Sequence, residues 1–331
     1  MRYVGSIVFA LLLAAGSAPP ARAQEDAHAP VHVAADSVAV DPKAGEPREV
    51  GGNVDIITPH ITDSRFIDYP CLSSEHGYAC EYELPRWEPL RIGSVSIDMS
   101  PTKHVVWMLI AAAVAAIVLV SAAAAHRRHA HAAGQRRSGF ASGIEAVVLY
   151  LREQVVLRNV GPHGEKYVPF VLTLFFFILF ANLFGLVPYG STATGNISVT
   201  AALAVLTFIV VEISGMRAQG VGYLSTIFYW NRDLPMYMRI PMFLIMTPVE
   251  IVGKFTKPFA LAIRLFANMT AGHVFVLALI GLIFAFPKLL IAPLGMSVAI
   301  MLLELFVAFL QAFIFALLAS VFIGQIRSAH H

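Results

Sequence analysis

"VEIVGKFTKPFALAIRLFANMTAGHVFVLALIGLIFAF", from Val249 to Phe286, decides how the rest of this chain is read. As α-helix, an apolar run of roughly 38 residues extends roughly 57 Å, against roughly 30 Å of hydrocarbon in a bilayer. A second run of similar length, Leu289 to Ile326, follows a break at Phe286, Pro287 and Lys288. Each is long enough to be a membrane helix and too long to stand upright. A straight helix of this length needs a tilt of about 60°, well beyond the average of about 20°, so the two runs read as a hairpin that is steeply tilted or bent.

Composition agrees. The 331 residues are 57% hydrophobic and 13% charged, where a soluble domain carries about 25% charge, and the mean hydropathy is +0.70. This is the composition of an integral membrane protein. The net charge of +2 gives no reason to expect a nucleic-acid partner.

Upstream of the hairpin, residues 1–23 read as a signal peptide: Arg2, an apolar centre from Val4 to Ala15, and "ARA" before Gln24. The alternative is an uncleaved anchor. Residues 24–102 form a polar, loop-rich extension expected outside the cytoplasm. It holds Cys71 and Cys80, whose short spacing in an oxidising compartment predicts a disulfide. Two free thiols, or a metal site with His76, are the alternatives, and the latter has too few ligands for structural zinc.

The first span is expected over 103–126, and "HRRHAHAAGQRR" directly after it marks the cytoplasmic side. Within 127–166, "GIEAVVLYLREQVVLR" (Gly143 to Arg158) places Ile144, Val147, Val148, Leu151 and Val155 at helical spacing, which predicts an amphipathic helix along the interface. Spans two and three and a cytoplasmic loop with Arg217, Arg232 and Arg239 fill 167–246, and the hairpin occupies 247–327. The fold expected is an all-α polytopic membrane protein with five spans, N-terminus outside and C-terminus inside.

Polar side chains interrupt the hairpin: Glu250, Lys254, Lys257, Arg264, Asn268 and His273 on its first arm, and Glu304, Gln311 and Gln325 on its second. An ionised side chain near the bilayer centre costs on the order of 2.5 to 3.5 kcal/mol by insertion scales. Glu250, Lys257, Arg264 and Asn268 share one stripe about 40° wide at about 100° per residue. Snorkelling toward the cytoplasmic end is an alternative for Glu250, Lys254 and Lys257, but not for Arg264 in mid-segment.

Residues level with one another on antiparallel arms have a nearly constant sum of position numbers. Arg264 with Gln311, His273 with Glu304, and Glu250 with Arg327 all centre on the Pro287 and Lys288 turn. His273 and Glu304 suit a proton relay, because an imidazole and a desolvated carboxyl titrate within reach of each other; the alternative is a structural pair. Arg264 cannot join that relay, since guanidinium keeps its proton, so it acts as a fixed charge beside the path. One feature resists: on a straight helix His273 points away from Arg264, which requires either a bend or a separate cavity.

"NLFGLVP" at 182–188, "TPVEIVGKFTKPFALAIRLFANMTAGH" at 247–273 and "LQAFIFALL" at 310–318 resemble the a subunit of F-type ATP synthases. The resemblance spans roughly residues 140–327. It implies a bacterial inner-membrane stator subunit against a rotating c-subunit ring, with a b-subunit peripheral stalk and the lipid bilayer as its other surroundings. Two half-channels would carry the coupling ion, expected to be H+.

By matched position Arg264 would be the family's essential arginine, with Gln311 across the hairpin. Asn268, His273 and Glu304 would belong to the extracytoplasmic half-channel and Glu250 to the cytoplasmic side, with Lys257 and Lys254 nearby. The order of acid and histidine at 273 and 304 varies in the family. The signal peptide and extension are not part of the family's common core. No catalytic residue, cofactor or metal is expected, and no phosphate-binding glycine loop is present. A self-contained secondary transporter or channel is the competing class, although the repeated halves common in transporters are missing from the sequence.

Overall fold

The computed structural model describes residues 49–50, 53–54, 63–73, 77–87, 90–92, 95–97, 100–130, 139–187, 190–223, 235–286, 288 and 291–328. The expected signal peptide lies outside the described residues, as does most of the basic tract after the first span.

In the extension the described residues form antiparallel hairpins. Strands β1 (Glu49–Val50) and β2 (Asn53–Val54) pair, as do β3 (Phe66–Ser73) and β4 (Gly77–Glu83), and β5 (Leu90–Ile92) and β6 (Val95–Ile97). Cys71 lies on β3 and Cys80 on β4, where Cys80 faces Tyr69 in the register. Their side chains lie outside the described residues.

The extension is tied to the first long helix, α1 (Lys103–Ala130), at its N-terminus. Lys103 N donates to Ser64 O at 2.9 Å, and Asp63 Oδ1 lies 2.6 Å from His104 Nδ1. Burial alone raises the Asp63 carboxyl, but the contacts of His104 with it, helped by the neighbouring Thr102, outweigh burial and hold the carboxyl below its ordinary value of 3.8.

The next helix, α2 (Gly139–Tyr150), continues through a π-helical stretch, Leu151–Leu157, and a last turn, Arg158–Val160. The wider π turn keeps Leu151, Val155, Val156 and Val160 together on the buried side. Its end is capped from a distance: Arg327 donates to Val160 O at 3.2 Å and to Pro162 O at 2.7 Å, and its guanidinium lies 5.5 Å from the Tyr167 ring centre. Arg327, expected level with Glu250, is therefore committed to this helix end.

Helix α3 (Val168–Gly185) opens with a proline in its first turn, where the missing N–H costs nothing. Helix α4 (Ile197–Gln219) is capped by Asn196, whose side chain accepts from Ser198 N at 2.9 Å. Helix α5 (Met236–Ala285) begins well before the expected Val249 and takes in Arg239, Pro241, Pro248 and Pro258. Helix α6 (Ile291–Ser328) completes the hairpin.

Five of these helices are long and apolar enough to cross a membrane: α1, α3, α4, α5 and α6. The protein is mostly helical and polytopic, as its sequence leads one to expect. Helix α6 is central, packing on α5, α3, α4 and the end of α2, while α1 packs on α3. The core joins Phe175 and Ile178 of α3, Leu203 of α4, Leu261 and Leu265 of α5, and Phe315 and Ile323 of α6. Phe175 meets Phe309 edge to face at 5.7 Å between ring centres.

Candidate functional site

Helix α5 buries Leu261, Leu265 and Met269, a four-residue spacing that fixes which side faces α6 and α4. The rest of its circumference is exposed, with Phe255, Phe259 and Ile263 along one flank. Arg264 and Asn268 lie on the other exposed flank, with Lys257 two turns before Arg264. Among the described residues Arg264 has no hydrogen-bond or ion-pair partner. Asn268, one turn on, donates from Nδ2 to Gln311 Oε1 at 2.9 Å. Gln311 is 2% exposed, and its Nε2 is buried without a partner. The expected level pair Arg264 and Gln311 thus becomes a one-turn relation, with Asn268 making the contact across the hairpin.

His273 leaves this face, as the helical wheel requires, and enters a separate polar cluster between α5, α6 and the loop before α4. Its Nδ1 stands 3.1 Å from Glu304 Oε1, without the alignment of a full hydrogen bond. Its Nε2 is hydrogen-bonded to Thr192 Oγ1. Glu304 is 5% exposed. Two glycines make the room. A Cβ at Gly272 would stand 2.7 Å from Glu304 Oε1, and one at Gly185 would overlap Thr192 Oγ1 and stand 2.9 Å from His273 Nε2.

Asn182 supports the same loop. It accepts from Thr194 Oγ1 at 2.6 Å and donates to Ala308 O at 3.3 Å, with both side chains fully buried. Asn182, Thr192 and Thr194 did not stand out in the sequence; the signal was an amide inside an apolar span, twelve residues before a threonine.

A third group lies nearer the other end of α5. Lys254 Nζ donates to Tyr223 Oη at 2.7 Å and lies 3.3 Å from Glu212 Oε2. Lys257 Nζ is 5.5 Å from the Phe322 ring centre. Together with Glu250 and Gln325 these residues line a cavity of about 140 Å³ between α4, α5 and α6. Glu212 is a residue the sequence reading passed over, a carboxylate within the third apolar run. Glu250, Lys254 and Lys257 do converge on one cavity; Arg264 and Asn268 are exposed on one flank of α5, with Asn268 bonded to the buried Gln311, and His273 and Glu304 lie apart from both.

A family model described as ATP synthase A chain matches residues 105–324. Proteins named ATP synthase subunit a align over most of the chain. The one from Anaeromyxobacter dehalogenans is 44% identical over 83% of this chain and 70% of its own length. That from Chloroherpeton thalassium is 44% identical over 80% and 74%, and that from Chlorobium phaeobacteroides 38% identical over 99% and 93%. The chain belongs to the ATP synthase subunit a family. All three polar groups fall inside the part matched to subunit a except Gln325, one residue past its end, whereas Cys71, Cys80 and Asp63 lie before it. The subunit a hairpin therefore holds every candidate ion-path residue except Glu212, Thr192 and their neighbours, which α3 and α4 bring to it.

Proposed function

We infer that this chain is the proton-translocating stator subunit of an F-type ATP synthase, the role its family carries. The observation that bears most weight is Arg264: a permanent cation, exposed on a long apolar helix and without a partner among the described residues. A c-ring carboxylate arriving at that face supplies the partner. Beside Arg264 the carboxylate is favoured in its ionised form, so it gives up its proton there and takes another on leaving.

In this reading His273 and Glu304, with Asn268 and Gln311 toward the ring, line the extracytoplasmic half-channel. Glu250, Lys254 and Lys257 line the cytoplasmic one. The tilt that the length of α5 and α6 demands lays the hairpin across the ring's curved side, and α2 lies along the cytoplasmic interface. Residues 24–102 are extracytoplasmic, with a Cys71–Cys80 disulfide, and the C-terminus is cytoplasmic in a bacterial inner membrane. The chain carries no nucleotide chemistry of its own; that belongs to the complex it joins through the c-ring and the b-subunit stalk.

Arg264→Ala tests the core of this reading in inverted membrane vesicles. The expected result is a fully assembled complex without ATP-driven proton pumping, and an assembled variant that pumps well overturns the assignment. Purification in mild detergent separates the competing class: a ring of small hairpin proteolipids is expected to co-purify, whereas a lone homo-oligomer indicates a self-contained transporter.

A further inference from the structure

We propose that Thr192 is a positioning residue for His273, holding the imidazole so that Nδ1 is its protonated nitrogen on the side of Glu304. The proposal deepens the reading of His273 and Glu304 as a relay and rests on it.

Thr192 begins the short 3-10 helix Ala193–Gly195, a position where a threonine ordinarily turns its hydroxyl onto the helix's own backbone N–H groups. It makes no such cap. The buried hydroxyl is turned instead to His273 Nε2, 81 positions along the chain. The loop that carries it is pinned independently of the histidine. Gly195 N donates to Thr192 O at 2.9 Å and Gly190 N to Val187 O at 2.8 Å, while Thr194 is tied through Asn182 to α6. Gly185 has no side chain to block the approach of Thr192 to the ring.

The chemistry follows from what a hydroxyl can do. Neutral imidazole has one N–H and one bare nitrogen, and the partner of each decides which is which. When Thr192 Oγ1–H donates to Nε2, the ring proton resides on Nδ1, the nitrogen 3.1 Å from Glu304 Oε1. When the ring gains a second proton, Nε2–H donates in turn and Oγ1 accepts, with only the hydroxyl hydrogen rotating. The ring keeps one orientation through both charge states, so Nδ1–H is the proton nearer Glu304 in each; once it passes to Glu304 the neutral ring holds its remaining proton on Nε2, donated to Oγ1, until Nδ1 takes up the next proton.

Thr192→Ser and Thr192→Val separate this from packing, because serine keeps the hydroxyl and loses the methyl while valine keeps the shape and loses the hydroxyl. Proton pumping is read per assembled complex, with Thr192→Ala as a second hydroxyl-free variant in case valine assembles poorly, and His273→Ala as reference. The expected result is near-normal pumping in the serine variant and a loss of about tenfold in both hydroxyl-free variants. If valine pumps as well as serine while His273→Ala is impaired, the positioning role falls and the relay stands. If His273→Ala itself pumps normally, the relay and this inference fall together.

Discussion

Gly272→Ala adds a single methyl group at the point where α5 meets the Glu304 carboxyl. That methyl would lie 2.7 Å from Oε1 and 2.8 Å from Cδ, whereas ordinary contact begins at 3.4 Å. The carboxyl must therefore retreat by about 0.7 Å, away from the helix that also carries His273. The Nδ1 to Oε1 separation, now 3.1 Å, becomes about 3.8 Å, beyond the reach of about 2.6–3.2 Å that proton transfer requires. Misplacement of 1 Å can cost about 100-fold in rate, which scales to about 20-fold for this displacement. Stability moves little by comparison. Crowding costs about 1–3 kcal/mol, partly offset by about 1 kcal/mol from replacing glycine within a helix. The expected outcome is a complex that assembles near the normal level and pumps protons about 20-fold more slowly, measured by quenching of a pH-sensitive dye in vesicles matched for assembled complex. Full assembly with pumping within about twofold of the parent would refute the reasoning that links this distance to flux.

Two other perturbations address regions away from the relay. Glu212→Gln leaves Lys254, 13% exposed, without its carboxylate partner; a loss of about 1–3 kcal/mol is expected, read as a lower unfolding midpoint of the purified complex, and an unchanged midpoint counts against a structural ion pair. At the junction of extension and α1, the folded-state pKa of Asp63 lies below its ordinary value of 3.8. Its stabilising contribution is thus present above that value and lost as pH falls through the lower folded one. Limited proteolysis between the extension and α1 should accelerate only in that acidic range in the parent, and already at neutral pH in Asp63→Asn; equal cleavage of the two at neutral pH contradicts the latch.

Much of the hairpin was legible because lipid leaves few options. A long apolar run must be helical, and the turn near Lys288 set which residues of α5 and α6 lie level, so the common depth of His273 and Glu304 followed from position numbers, whereas their approach to 3.1 Å did not. The start of α5 did not. Pro241 and Pro248 suggest an interrupted chain in water, yet α5 runs through both, because membrane helices tolerate the N–H that proline lacks when surrounding groups compensate. Glu212 and Thr192 were hidden for a different reason. Each contributes one side chain from an element whose own periodicity says nothing about what it will meet, and their meaning appears only when α4 and its preceding loop are laid against α5. Arg327 shows the converse: the charge was visible, but the carbonyls that claim it belong to the end of α2.

The exposed side of α5 has a consequence for adhesion. In a bilayer an apolar surface has no hydrophobic motive to bind another, since lipid tails serve it equally well. Exposed apolar side chains such as Phe255, Phe259 and Ile263 therefore give α5 no motive of their own to leave lipid. What distinguishes a neighbour from lipid is Arg264, whose charge costs on the order of 2.5 to 3.5 kcal/mol while it stays unpaired. In the proposed function, that guanidinium is a point of grip for the ring, released whenever the opposing carboxyl takes up a proton.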